Sequence, residues 1–253
     1  MKVKIRCPNG EIKTPKECLD AEKSLPTPIL KKVLEGVLKE STPRDRVRFG
    51  ATKITTNCLR QSFYQITEEQ ILDLDKLWIL SRGHAFHDHF DFGKNEVFVE
   101  KKFKDFDVIG FIDGIDNNVL YELKTTSNIP EEPQDHHVLQ AQAYYSMYPD
   151  KDKIDKIMLV YLSLSTIKTF EVPKRDIIPW IESRGHQLAT ALKTKTPPPK
   201  EKTWLCSYCP FLDICENHKV EKKESVKREV DKILYNKKEK KKVETWKDIF
   251  NNG

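Results

Sequence analysis

The chain has 253 residues, 44 Lys+Arg against 39 Asp+Glu, and a formal net charge of +5. At 38% hydrophobic and 33% charged it can build one large domain or two small ones around a real core. No run approaches the roughly 18–20 apolar residues that a membrane span needs, so no membrane partner is expected. Residues 1–7 show neither an apolar stretch nor a small-residue cleavage site, so a cytoplasmic protein is expected. The excess charge is local. Residues 217–253 hold 12 Lys+Arg and 7 Asp+Glu, and residues 1–216 hold 32 of each. The total charge therefore does not by itself indicate nucleic-acid binding. Six cysteines in a cytoplasmic chain point to metal or catalysis ahead of disulfides.

Val3 and Ile5 alternate with Lys2, Lys4 and Arg6, which predicts a short strand ending at the turn Pro8-Asn9-Gly10. Ile29, Leu30, Val33, Leu34, Val37 and Leu38 recur at helical spacing. Residues 1–40 therefore read as a small N-terminal extension, a hairpin plus a helix. Thr56 or Asn57 could cap a helix carrying Cys58, and Thr67 with Gln70 reads as a capping box for another. That helix or its continuation reaches the histidine-rich stretch 83–89. Segments 96–103, 107–113 and 119–125 are short, β-branched and aromatic, and separated by turn residues, so they read as strands. A helix over 133–148 follows, then strands at 156–164 and 168–172, then a helix over 176–195 ended by Pro197-Pro198-Pro199. Residues 217–253 read as a Lys/Glu-rich helix or a partly disordered tail. The expected fold class is α/β or α+β, a short central mixed sheet flanked by helices.

The chemistry concentrates in Gly110-Phe111-Ile112-Asp113 and Glu122-Leu123-Lys124. Glu122 and Lys124 are two apart on a predicted strand and share a face, while Leu123 points into the core. A hairpin turn at Asn117-Asn118 would return Asp113 beside them. Two carboxylates and a lysine suit metal-assisted phosphodiester hydrolysis: Mg²⁺ or Mn²⁺ prefers carboxylate oxygens, and the ammonium can stabilise developing charge. A solvated strand face with a salt bridge is the plain alternative. Cys206, Cys209 and Cys215 form C-x2-C-x5-C, which suits thiolate ligation of Zn²⁺ or of an iron–sulfur cluster; spacing does not choose between them. Cys7 and Cys18 stand apart and read as core thiols, with a zinc-ribbon relic or a shared half-site as alternatives. Arg44, Arg46, Arg48, Lys53 and Arg60, followed by Phe63 and Tyr64, could contact a single strand through phosphates and stacking, or could be a solvated connection.

Together these residues resemble the PD-(D/E)XK nucleases of the RecB type. The motif series stands in order as Gly83/His87, Gly110/Asp113, Glu122/Lys124 and Gln140/Tyr144. Ile112 occupies the place of the family's proline, which the RecB branch often lacks. The resemblance implies a restriction-endonuclease-like core over residues 41–216. It implies His87, Asp113, Glu122 and the Leu123 carbonyl as metal ligands, Lys124 as catalytic, and Gln140 and Tyr144 as DNA-contacting or site-ordering. Cys58, followed by Leu-Arg-Gln-Ser-Phe-Tyr, matches the upstream cysteine of a subset that includes AddB-like nuclease domains and the CRISPR-associated RecB-like exonucleases. In that subset Cys58, Cys206, Cys209 and Cys215 would hold a [4Fe–4S] cluster joining the domain ends. The implied function is a metal-dependent exonuclease on single-stranded or frayed DNA, in CRISPR spacer acquisition, with CRISPR integration proteins or a helicase as partners. A repair, recombination or viral-replication nuclease, or a non-catalytic DNA-end-binding subunit, are the alternatives.

Overall fold

The alternation over residues 3–6 does give a strand, the first of nine described in the computed structural model, which covers residues 3–7, 9–21, 25–38 and 46–217. In chain order the elements are β1 (Val3–Arg6), β2 (Ile12–Lys13), α1 (Pro15–Ala21), α2 (Thr27–Leu38), β3 (Arg48–Gly50), α3 (Ala51–Thr55) and α4 (Leu59–Thr67). Then follow β4 (Gln70–Asp73), α5 (Leu74–His87), β5 (Lys94–Lys102), β6 (Asp107–Asp116), β7 (Val119–Thr125) and α6 (Asp135–Met147). The last are β8 (Lys156–Leu162), β9 (Ile167–Val172), α7 (Ile178–Thr194) and α8 (Leu212–Asn217), with a 3₁₀ turn at Trp204–Tyr208 before α8. Among the described residues no helix is long and apolar enough to cross a membrane. Residues 39–45 and 218–253, which take in Arg44 and nearly all of the charged tail, lie outside the described residues.

The chain divides into two compact units, residues 1–45 with 64–90, and residues 46–63 with 91–253. The first is built on a three-stranded sheet in the order β2-β1-β4. Its core is Ile5, Cys7, Cys18, Leu30, Leu34 and Leu77. Two sequence expectations are corrected here. Residues 70–73 are a strand rather than the first turn of a helix, because they pair in parallel with β1, Val3 opposite Gln70 and Arg6 opposite Asp73. The Arg6–Asp73 ion pair at 3.1 Å closes that register. Tertiary pairing overrides the local capping signal, and Gln70 turns its amide to the Gln65 carbonyl at 2.8 Å instead. Cys7 and Cys18 are buried in the core as expected, yet they are joined as a disulfide rather than standing as thiols. The turn after Cys7, with Gly10 at φ 85°, brings α1 back so that the two Cα atoms stand 6.0 Å apart, within reach of a bridge.

The second unit carries a six-stranded mixed sheet with the path β3-β6-β7-β8-β9 and β5 added to β6. β7 and β8 are parallel, β6–β7 and β8–β9 antiparallel. The β6–β7 hairpin turns through Asn117 and Asn118, both at positive φ, the two-residue turn that such asparagines favour. α6 packs across β5 to β9, and α3 and α7 pack against α6. Buried Val108, Ile112, Leu120, Leu123, Ile157, Leu159, Ala141, Ala143, Ile181 and Leu188 belong to this core. This is the mixed α/β arrangement, a sheet flanked by helices, that the sequence indicates.

Candidate active site

The catalytic candidates sit where β6 and β7 part. β5 runs along β6 from residue 107 to 115, so β3 and β7 must share the opposite edge of β6. β3 takes residues 107–109 and β7 takes 114–116. Between them residues 110–113 have no strand partner on that edge, and this fork holds Asp113. The β5 side is also irregular there. Glu96, at φ 46°, interrupts the ladder, which pairs Asn95 with Gly114 and Val97 with Ile112 but omits Asp113.

Three groups bridge the fork. The Leu123 N–H donates to the Asp113 carboxylate at 2.7 Å, which ties the departing strand to the acid. The Lys124 ammonium lies 2.5 Å from Glu122 Oε1, with Glu122 at 1% exposure and Lys124 at 18%. The Gln140 amide donates to the Tyr144 hydroxyl at 2.9 Å, as the one-turn spacing on α6 allows. Tyr144 also bonds to the Phe111 backbone on the open edge. Its ring lies so close to Gly110 that an added Cβ would come within 2.2 Å of Cε1. Gly110 is thus required by the approach of Tyr144. Burial pushes the Tyr144 phenol far up, and the charges of Glu122 and then Asp113 add to this. Both carboxylates thus act on the Tyr144 phenol, and Lys124 lies against Glu122.

Sequence reasoning missed two histidines here. His136 and His137 open α6, with rings 4.1 Å apart. His137 Nδ1 is 2.8 Å from the Tyr161 hydroxyl, and Tyr161 is the cross-strand neighbour of Lys124. His136 Nδ1 is 3.2 Å from the Asn57 amide, which can only donate, so Nδ1 is the acceptor. Burial lowers His136 to about 4, with the Lys124 charge adding to it. Burial lowers His137 to about 2, helped by His136 and Lys124. Both rings are neutral at ordinary pH. No local motif marks them, because their role depends on β8 and on the segment before α4.

The other sequence candidates are placed less simply. His87 ends α5 and belongs to the first unit, whereas Asp113, Glu122 and Lys124 belong to the second. The basic stretch is largely used inside the fold. Arg46 pairs with Asp107 at 2.7 Å and Arg48 with Glu100 at 3.3 Å. Arg60 is 0% exposed and Tyr64 is buried, so neither presents itself at the surface to DNA, contrary to the expectation from their composition. Gln140 and Tyr144 are buried as well.

The cysteine end is assembled from both margins of the second unit. Cys58 precedes α4, and its carbonyl accepts the first-turn amide of Gln61 at 3.1 Å. It thus stands at the cap position that the sequence reading gave to Thr56 or Asn57. The Leu59 N–H donates to Glu201 Oε2 at 2.9 Å, which ties the start of α4 to the segment leading to Cys206. Arg184, also buried, donates to the carbonyls of Ile54 and Thr56 at 2.8 Å and pairs with Glu201 at 3.4 Å. Arg60 donates from Nε to the Pro198 carbonyl at 2.6 Å, and its Nη1 is 3.9 Å from Cys215 Sγ. Arg60 Nη2 is buried with no hydrogen-bond partner among the described residues. Cys58, Cys206, Cys209 and Cys215 are free thiols of intermediate exposure. Burial raises Cys58 to about 11, and Cys206 adds to the rise; Cys209 is raised by burial and by Cys206 and Cys215.

The family model of the PD-(D/E)XK nuclease superfamily matches residues 21–216, most of the chain and all of both sites. The chain belongs to the PD-(D/E)XK nuclease superfamily. The crystal structure of SSO0001 shares its fold, with a TM-score of 0.54 and 21% identity over 75% of this chain and 95% of that one. A protein of Eubacterium rectale, provisionally named an exonuclease, aligns at a TM-score of 0.31 and 11% identity over 79% of this chain and 84% of its own. That overlap is too low to bear on the site. No curated protein matches the chain.

PD-(D/E)XK nucleases act on DNA with divalent metals such as Mg²⁺ or Mn²⁺. Among the described residues no group of three or more His, Cys, Asp or Glu is drawn together closely enough to hold a metal ion. The donor chemistry at the fork nonetheless fits such an ion: two carboxylates act on the Tyr144 phenol, and hard oxygens are what Mg²⁺ and Mn²⁺ take. At the cysteine end Arg60 Nη2 is buried with no hydrogen-bond partner among the described residues and Nη1 lies beside Cys215 Sγ, which suits an anionic group there.

Proposed function

We propose that the chain is a divalent-metal-dependent DNA exonuclease of the RecB type, acting on single-stranded or frayed ends at the β6–β7 fork. The observation that carries this reading is Asp113 tied to the Leu123 N–H, between Glu122 and its partner Lys124 on β7, in a member of a nuclease superfamily. Asp113, Glu122 and the Leu123 carbonyl would hold the ion. When bound, the ion supplies a lowered pKa for the attacking water and offsets charge on the phosphate. Lys124, two residues from Glu122 on one strand face, positions an ammonium to stabilise the charge that develops on the phosphoryl oxygens. Tyr144 and Gln140 keep the unpaired 110–113 edge in shape. Leu123 fixes Asp113 through its N–H, so the acid is oriented before any ligand arrives.

In the same reading Cys58, Cys206, Cys209 and Cys215 hold a structural [4Fe–4S] cluster that clips the domain margins together. Residues 41–216 form the nuclease domain, residues 1–40 an N-terminal extension and residues 217–253 a charged tail. The cysteine pattern, through its resemblance to the CRISPR-associated branch, supports a cytoplasmic role in spacer acquisition beside integration proteins or a helicase.

The test is a cleavage assay on end-labelled and on circular single-stranded DNA, with Mn²⁺, with Mg²⁺ and with chelator. Stepwise release from labelled ends, absent on circles and abolished by chelator, is expected. Tight binding without any cleavage in either metal would instead make the chain a DNA-end-binding subunit.

A further inference from the structure

Arg60 is an unusual residue for its place. It is 0% exposed, the second residue of α4, and a guanidinium is a permanent cation. Taking such a charge out of water is costly unless an anion and hydrogen-bond acceptors meet it. The described residues give it one full acceptor, the Pro198 carbonyl, and one weak sulfur contact, Cys215 Sγ at 3.9 Å. Its Nη2 has none.

The nearby carboxylate is already used. Glu201 pairs with Arg184, which is also buried, and accepts the Leu59 N–H. Two buried guanidiniums therefore share a region with one carboxylate. Neutral thiols do not correct that imbalance, but thiolates would. Sulfur ligands of a metal centre are thiolates, and an all-thiolate iron–sulfur centre carries net negative charge. N–H donors and positive charge beside its sulfurs stabilise the more reduced, more negative form.

We propose that Arg60 is the buried counter-cation of the four-cysteine centre, donating from Nη1 and Nη2 to its sulfurs. It is a positioning residue for that centre and has no part in DNA contact. This inference rests on the cluster reading given above, and it is separable from it by experiment. Arg60 also anchors to Pro198, so it links α4 to the segment that leads into Cys206, and the neutral variant must keep that anchor. Glutamine can donate to the Pro198 carbonyl without charge, and lysine keeps the charge without the planar fork.

Full-length wild type, Arg60→Gln and Arg60→Lys are purified anaerobically. Iron and acid-labile sulfide per chain, the midpoint potential by dye-coupled titration, and far-UV circular dichroism are then measured on each. Wild type should carry both iron and sulfide. Folded Arg60→Gln should either retain at least tenfold less iron or show a reduction equilibrium at least about tenfold less favourable, about 59 mV lower for a one-electron couple. Arg60→Lys should retain iron within twofold of wild type. Wild-type iron and wild-type potential in Arg60→Gln would overturn the role of Arg60 and leave the cluster standing. Wild type without iron and sulfide would overturn the cluster reading, and the proposal with it. Should Arg60→Gln fail to fold, Arg60→Lys decides: folded protein with iron supports the charge role, and folded protein lacking iron contradicts it.

Discussion

The fork and the cysteine end are both built where the chain leaves a regular pattern, yet they are balanced differently. At the fork two carboxylates share one ammonium, but the polypeptide orients each of them. Asp113 takes the Leu123 N–H, Glu122 takes Lys124, and Tyr144 takes Gln140 and the open strand edge. At the cysteine end two buried arginines face one carboxylate and four thiols. The first is oriented by the polypeptide alone. The second is the part of the molecule whose charge a bound centre would balance. Activity and cofactor content should therefore respond to different residues.

The largest expected effect is at the fork. Lys124→Ala should lower cleavage by about 10²–10³-fold, the scale for losing one charge-stabilising donor, and should lower the melting temperature because buried Glu122 loses its counter-ion, while iron content stays near wild type. A variant that loses its iron as well would erase the distinction between the two regions.

Next is Gly110→Ala. The new methyl would meet the Tyr144 ring, and overpacking of this kind costs about 1–3 kcal/mol. Urea melts should show it, with cleavage falling in parallel. Pairing it with Tyr144→Leu should give a loss smaller than the sum of the two, because the residues touch. Additive losses would mean that Gly110 matters for another reason.

Tyr144→Phe alone should cost about 1 kcal/mol, by removing the hydroxyl from Gln140 and the Phe111 backbone, with a several-fold drop in cleavage.

The pH dependence of stability gives a related effect. His136 and His137 have folded pKa values of about 4 and about 2, below the unfolded value of 6.5. Between those values the unfolded chain binds more protons, so stability rises with pH. The contribution is complete above about pH 6.5 and is lost as pH falls, toward 4 for His136 and on toward 2 for His137, on the order of 1–3 kcal/mol over the first two units. Urea midpoints at pH 7 and pH 5 should separate for wild type and separate less in His137→Leu, where only His136 still contributes. An unchanged separation would remove the histidines from the account.

Much of the fork was legible in the sequence because its signals are local. The Asn117-Asn118 turn, the i, i+2 pair Glu122 and Lys124, and the one-turn pair Gln140 and Tyr144 each lie within a few residues. What was not legible depends on distant partners. Gln70 to Asp73 became a strand because β1 supplies an edge some 67 positions earlier in the chain. Cys7 and Cys18 became a disulfide through the return of α1 onto β1. Arg60, which by composition looked like a DNA contact, turns inward because Pro198 and Cys215 wait there from the other margin of the domain. His136 and His137 went unnoticed because Tyr161 and Asn57, which hold them, lie on separate elements.

The most direct measurement is Mn²⁺-dependent cleavage of end-labelled single-stranded DNA by purified wild type and Asp113→Ala, with circular dichroism on both. Wild type should release labelled nucleotides. Asp113→Ala should keep the fold and the iron but fall to background. Retained metal-dependent cleavage in folded Asp113→Ala would contradict the placement of the hydrolytic centre at the β6–β7 fork.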